Sequence, residues 1–298
     1  MSSSSLPPNQ PSMLRTQQGW RKMFAGMQLA SICAVAFALT TASIAHAQCD
    51  PPPTGTMVAW YPFDETGTGF SGPSGNLATQ NAAVWDSATL PTPVPGEVAG
   101  GLAFNGNSYI DAPDSIVTNF GPAGGATCGG GDFSTCQGDF SMDVWINIPA
   151  PINGVVTILD KRDGNPIGYE FYLYRNTTYS NNTYIGVQLG DSTGYTNYES
   201  KPQNITPNVW HLLAITVDRL GKIDWYLDGA AVGTPVHPTQ VLSLLNNVPL
   251  RIGATGTANG PSSYFTGSMD ELELFNRVLT AKEVALLYKY GPYGKCKP

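Results

Sequence analysis

The chain has 298 residues, of which 22 are acidic and 15 basic, for a formal net charge of −7. Three of the basic residues (Arg15, Arg21 and Lys22) stand near the start and no acidic residue precedes residue 48, so the remainder carries a charge near −10. Nucleic acid is thereby set aside as a partner, because holding a phosphate backbone requires clustered Lys and Arg that displace its counterions.

The basic lead-in is followed by an uncharged apolar run, residues 23–44, that closes on Ala45-His46-Ala47. A short apolar helix with a basic start and a small-x-small end predicts an export signal over residues 1–47. A membrane anchor is the alternative, since the run is almost long enough to span; Thr40, Thr41, Ser43 and His46 weaken its last turns. Residues 48–56 read as a Pro-rich lead-in, and 57–298 as one β domain that is secreted, extracellular, or held in the periplasm or at the cell surface.

From there, short β-rich runs recur between turn residues, and long helical periodicity is absent. Met57–Phe63 is the first. The run 101–111 suggests two strands joined by a hairpin at Asn105-Gly106. In Phe140–Ile148, alternation puts Phe140, Met142, Val144, Ile146 and Ile148 on one face and Trp145 on the other. Val155–Lys161, Tyr169–Arg175 and Tyr184–Leu189 follow. Trp210–Asp218 pairs with Lys222–Leu227 around Leu220-Gly221, and Asp228-Gly229 makes a further hairpin. Val248–Gly253 and Gly267–Phe275 close the strand set. Thr280, with Glu283 three residues on, caps one short helix whose Val284, Leu287 and Tyr288 share a face. The expected fold class is all-β: an antiparallel β-sandwich with one short C-terminal helix.

Four cysteines remain after residue 47: Cys49, Cys128, Cys136 and Cys296. An even count in an exported chain predicts disulfides, and the pairings favoured are Cys128–Cys136, across a Gly-rich loop, and Cys49–Cys296, tying the ends.

Several segments, in order, are similar to the laminin-G-like jelly rolls of the concanavalin A-like lectin/glucanase superfamily. They are Trp60-Tyr61-Pro62-Phe63-Asp64-Glu65; Gly101-Leu102-Ala103-Phe104-Asn105-Gly106 with Tyr109-Ile110; Phe140-Ser141 with Val144-Trp145; and Trp210-His211 through Asp218. Tyr226-Leu227-Asp228-Gly229, Phe265-Thr266-Gly267-Ser268-Met269-Asp270-Glu271 and Phe275-Asn276-Arg277 complete the set. The resemblance implies two stacked antiparallel sheets, binding of carbohydrate or extracellular protein, and often a calcium ion. The chain departs from the pattern at Phe70, which stands before Ser71-Gly72 where an acidic residue is usual, and residues 121–137 read as an insertion.

Three groups of residues carry candidate chemistry. Strand alternation places Asp270 with Leu272 and Leu274, toward the core. A buried carboxylate needs a cation or hydrogen-bond donors, so Asp270 is either a calcium ligand together with Asp64 and backbone carbonyls, or an acceptor of loop amides. Glu271 and Glu273 share the other face without the third carboxylate of a glucanase strand; they and the isolated, outward Glu170 read as solvated, and no catalytic residue is expected. His211 reads as packing. Seven of the fourteen tyrosines fall between Tyr169 and Tyr198. Tyr172 and Tyr174 share one strand face, and Tyr184 and Gln188 share another. If the two strands are neighbours, their rings and amides form one platform of the kind on which sugars stack. Ordinary cross-strand tyrosine pairing is the alternative. The function expected is therefore a secreted, non-catalytic binding or adhesion module. A glycan-cleaving or modifying enzyme and a structural surface component are the other readings.

Overall fold

The computed structural model describes residues 56–64, 90–124, 138–176, 182–256 and 260–295, all within one compact unit spanning Ala45–Pro298. The expected export signal, Phe70 and Cys49, Cys128, Cys136 and Cys296 lie outside the described residues, and so do the two disulfides expected of these cysteines. Among the described residues, no helix is long and apolar enough to cross a membrane.

Among the described residues, fourteen strands form two antiparallel sheets. In chain order they are β1 Met57–Tyr61, β2 Thr92–Pro95, β3 Gly100–Asn105, β4 Ile110–Ala112, β5 Phe140–Asn147, β6 Gly154–Arg162 and β7 Gly168–Arg175. The rest are β8 Tyr184–Asp191, β9 Gly194–Glu199, β10 Trp210–Val217, β11 Ile223–Leu227, β12 Ala230–Val236, β13 Leu250–Ile252 and β14 Thr266–Phe275. The eight-stranded sheet runs β12-β11-β10-β5-β14-β3-β2, with β1 also paired to β14. The six-stranded sheet runs β4-β13-β6-β7-β8-β9. The antiparallel sandwich expected from alternation, and the jelly roll implied by the resemblance, are the observed architecture.

Alternation builds the core. Phe140, Met142, Val144, Ile146 and Ile148 all face the interior, where they meet Phe171, Leu173, Ile185 and Val187 of the other sheet. Phe120 stacks on Phe140 with ring centroids 4.3 Å apart, and Tyr169 tilts against both. A second apolar cluster (Met57, Trp60, Ala214, Tyr226, Phe275, Leu279 and Val284) covers the outer side of the eight-stranded sheet beneath helix α1, Ala281–Tyr290. The capping box forms as expected: the Thr280 hydroxyl accepts from the Glu283 amide and the Glu283 carboxylate accepts from the Thr280 amide. Trp145, on the outward side of β5, stacks on Tyr288 of that helix at 5.7 Å.

Two expectations fail for reasons visible in the ladders. The chain at Asn105-Gly106 does not make a hairpin, because both edges of β3 are already taken by β2 and β14, and β4 pairs with β13 in the other sheet. Gly106, at φ 81°, instead turns the chain from one sheet to the other, with the Asn107 amide donating to the Asn105 side chain. The second failure is in β14, where a bulge sets two residues, Glu271 and Leu272, against the single Val144 between Asp270, opposite Trp145, and Glu273, opposite Asp143. Glu271 takes φ 48° there. The bulge inverts the alternation, so Asp270 faces with Trp145, away from the interior side of Leu272 and Leu274.

Candidate functional site

The expected neighbour relation between the tyrosine strands holds, and the register is specific. On the outer face of the six-stranded sheet, Tyr174 stands opposite Val155 and Tyr184; Tyr172 opposite Thr157 and Gly186; and Glu170 opposite Asp160 and Gln188. Strand β9 extends the rows, with Glu199 beside Gly186 and Asn197 beside Gln188. Since directly opposed residues in an antiparallel pair share a face, three rows converge on one surface. They enclose a concavity of about 330 Å³ lined by Val155, Glu170, Tyr172, Tyr174, Gln188, Asn197 and Glu199. Tyr184 stacks on Tyr174 at its edge, ring centroids 5.9 Å apart. All four residues singled out from sequence, Tyr172, Tyr174, Tyr184 and Gln188, therefore come together.

The floor is a hydrogen-bonded charge network. Tyr172 is only 2% exposed, its ring lying flat over Gly186: a Cβ there would fall 2.3 Å from the ring's Cζ. Its hydroxyl donates to Glu199 at 3.1 Å. Glu170, read as isolated and solvated, is neither. It is 4% exposed, accepts from the Thr157 hydroxyl at 2.6 Å and pairs with Arg162 at 2.8 Å. Arg162 also donates to Asp160 through Nε and Nη2, and through Nη1 to Gln188; the Gln188 amide donates onward to Asn197 at 2.6 Å. The row continues past β6, where Arg251 holds Asp111 in a two-bond pair. Burial lifts the Glu170 carboxyl to about 7 against the opposing pull of Arg162, and burial next to Glu199 raises the Tyr172 phenol. Sequence reasoning missed Asp160, Arg162, Asn197 and Glu199. The Asp160-x-Arg162 spacing was the available signal, since residues two apart on a strand share a face.

The other sequence candidates sit elsewhere. Asp64 and Asp270 approach one loop, residues 96–100: Asp270 Oδ2 accepts from the Val98 amide at 2.7 Å and Asp64 Oδ1 from the Gly100 amide at 2.9 Å. These are the bonds of the amide-acceptor alternative. A calcium ion takes about six to eight oxygen ligands, and among the described residues no group of three or more His, Cys, Asp or Glu gathers as a metal set.

Glu271 and Glu273, expected on a solvated face, are instead buried beneath α1 and the chain that follows it. Trp60 Nε1 donates to Glu271 at 2.6 Å and Lys295 to Glu273 at 2.5 Å, while burial and the Glu273 charge push the neighbouring Asp143 carboxyl well up. The space left between these groups is about 20 Å³, room for one water. His211 is a tether, its Nδ1 on Asp228 at 2.8 Å and its Nε2 accepting the Thr206 amide.

The model of a known family, the concanavalin A-like lectin/glucanases superfamily, matches residues 104–285, more than half of the chain. The chain belongs to that superfamily. Among curated proteins none matches it. This concanavalin A-like chain is similar in structure to the binding domain of Paraclostridial Mosquitocidal Protein 1, with a TM-score of 0.56 and 17% identity over 78% of the chain. It spans about half of that domain, 52%. Domain 4 of AbnA, an extracellular GH43 arabinanase from Geobacillus stearothermophilus solved with arabinotriose, is similar with a TM-score of 0.54 and 17% identity, over 77% of this chain and 96% of that one. The binding domain of botulinum neurotoxin serotype G follows at 0.52 and 18%, over 78% of this chain and 50% of that one. At these identities the likeness is one of fold.

Proposed function

We propose that the chain is an exported, non-catalytic module that binds glycan on the outer face of its six-stranded sheet. The observation that carries the reading is the convergence of Tyr172, Tyr174 and Tyr184 with Gln188, Asn197 and Glu199 on one concave surface. Sugar rings present apolar C–H faces that stack on phenol rings, and hydroxyls that bond to amides and carboxylates at the rim. That a domain of this fold was solved with arabinotriose is consistent with a sugar site on such a scaffold. The basic lead-in and apolar run ahead of Ala47 support export. Against a glycan-cleaving role stands the placement of the β14 carboxylates, shut beneath α1 beside a space too small for a sugar.

The test is a glycan array probed with purified protein, in calcium and again with chelator, followed by titration of the strongest hit. Tyr174→Ala and Tyr184→Ala, both half-buried at the rim, are expected to weaken that hit at least about tenfold, a loss of roughly 1.4 kcal/mol. Binding is expected to persist in chelator, because Asp64 and Asp270 do not line the concavity. Unchanged binding in both tyrosine variants would remove this surface as the site, and release of sugar from a hit incubated with the protein would overturn the non-catalytic assignment.

A further inference from the structure

Three donor groups at the floor of the concavity, on Arg162, Tyr172 and Gln188, are turned to the site's own acceptors. Arg162 gives Nε and Nη2 to Asp160 and Nη1 to Glu170 and Gln188. The Tyr172 hydroxyl goes to Glu199, and the Gln188 amide to Asn197. Among the described residues lining the space, none is a cation and two are carboxylates, Glu170 and Glu199. With Asp160 beneath them, the carboxylates outnumber the single guanidinium of Arg162.

A ligand entering this space meets the two carboxylates Glu170 and Glu199, which accept hydrogen bonds and call for donors. Sugar hydroxyls bring them. A uronate carboxylate or a sulfate brings only further acceptors and a charge of the wrong sign, in a setting partly removed from water where like charges repel strongly. Burial lifts the Glu170 carboxyl to about 7, so its share of the repulsion grows as pH rises through 7.

Building on the proposed glycan site, we infer that the concavity takes uncharged glycans and is closed to uronate- and sulfate-bearing ones, with Glu170 and Glu199 as the residues that set this selectivity. The two carboxylates act by repelling the charged sugar, while the rings and amides hold charged and uncharged sugars alike.

The probes are matched pairs: oligogalacturonate beside its methyl ester, and a sulfated galactan oligomer beside its desulfated form, together with the uncharged hit of the array. Wild-type protein is expected to bind each uncharged member at least about tenfold more tightly than its charged partner. In Glu199→Gln and Glu170→Gln that ratio is expected to shrink several-fold. Glu199 is half-buried, so its variant reads the effect if the Glu170 variant unfolds. Charged members that bind wild type as tightly as uncharged ones, or a ratio unmoved in the folded variants, would overturn the selectivity while leaving the glycan site standing. Binding of no member of either kind would remove the glycan reading and this inference with it.

Discussion

Tyr172 and Gly186 form the pair on which the geometry of the concavity turns. An antiparallel neighbour without a side chain lets the phenol ring lie against the backbone of β8, which holds the hydroxyl at Glu199. Gly186→Ala would drive a Cβ into that ring, 2.3 Å from Cζ. The ring must lift, so the substitution is expected to abolish binding of the strongest glycan hit and to lower thermal stability by about 1–3 kcal/mol, measured by titration and by thermal melts. Glu170 carries a pH signature. Its carboxyl sits at about 7 in the folded protein against an ordinary 4.5, so the folded state holds the proton more tightly than the unfolded one. Its contribution is therefore fully present below pH 4.5 and is lost as pH rises to 7 and beyond. Urea midpoints across that window, wild type compared with Glu170→Gln, are expected to show the variant with the flatter profile. Asp143 is shifted in the same direction, but it is common to both proteins and cancels in the difference.

Strand β14 and helix α1 decide which face of the eight-stranded sheet is open. The bulge at Glu271 lets β14 pair with β3 through Met269 and then with β1 from Leu272 onward. It turns Glu271 and Glu273 toward the outer side, where α1 and Lys295 close over them. Lys295→Met would leave Glu273 buried without its ammonium partner beside Asp143. Breaking a buried pair in this way is expected to cost about 3–5 kcal/mol, read as a lowered urea midpoint. The helix start offers a milder test: Thr280→Ala removes the cap and is expected to cost about 1 kcal/mol. Arg277 and the Thr280 amide hold the Glu283 carboxyl down to about 2, so its support of the helix is in place above pH 4.5 and fades as pH falls toward 2. Legibility in the sequence followed the same elements. Runs with clean alternation, such as Phe140–Ile148 and Trp210–Asp218, announced both their strands and their buried faces, and Thr280 with Glu283 announced the helix. Strands β2 (TPVP) and β9 (GYTNYE) did not, because as partly exposed strands they lack an apolar stripe. One bulge inverted the reading of Asp270, since alternation counts residues and is blind to an insertion in the ladder.

At the scale of the whole molecule, the two sheets have unequal outer faces. One is sealed by an apolar cluster and a helix, whereas the other carries charge rows stitched across its strands and a polar-aromatic hollow. Half of that hollow was legible, through two tyrosines two apart on β7 and Tyr184 with Gln188 on its neighbour β8. The other half came from β9 and from the pairing of Glu170 with Arg162, which depends on register and burial rather than on any local motif. The central claim is that this second face, and not the loop held by Asp64 and Asp270, meets the ligand. The most direct measurement is a titration of the labelled protein with its strongest glycan hit, following backbone amide shifts. Shifts are expected to concentrate on β6 to β9 around Tyr172, Tyr184 and Gln188, with the amides of Val98 and Gly100 unmoved. Shifts centred on residues 96–100, with β7 and β8 silent, would contradict it.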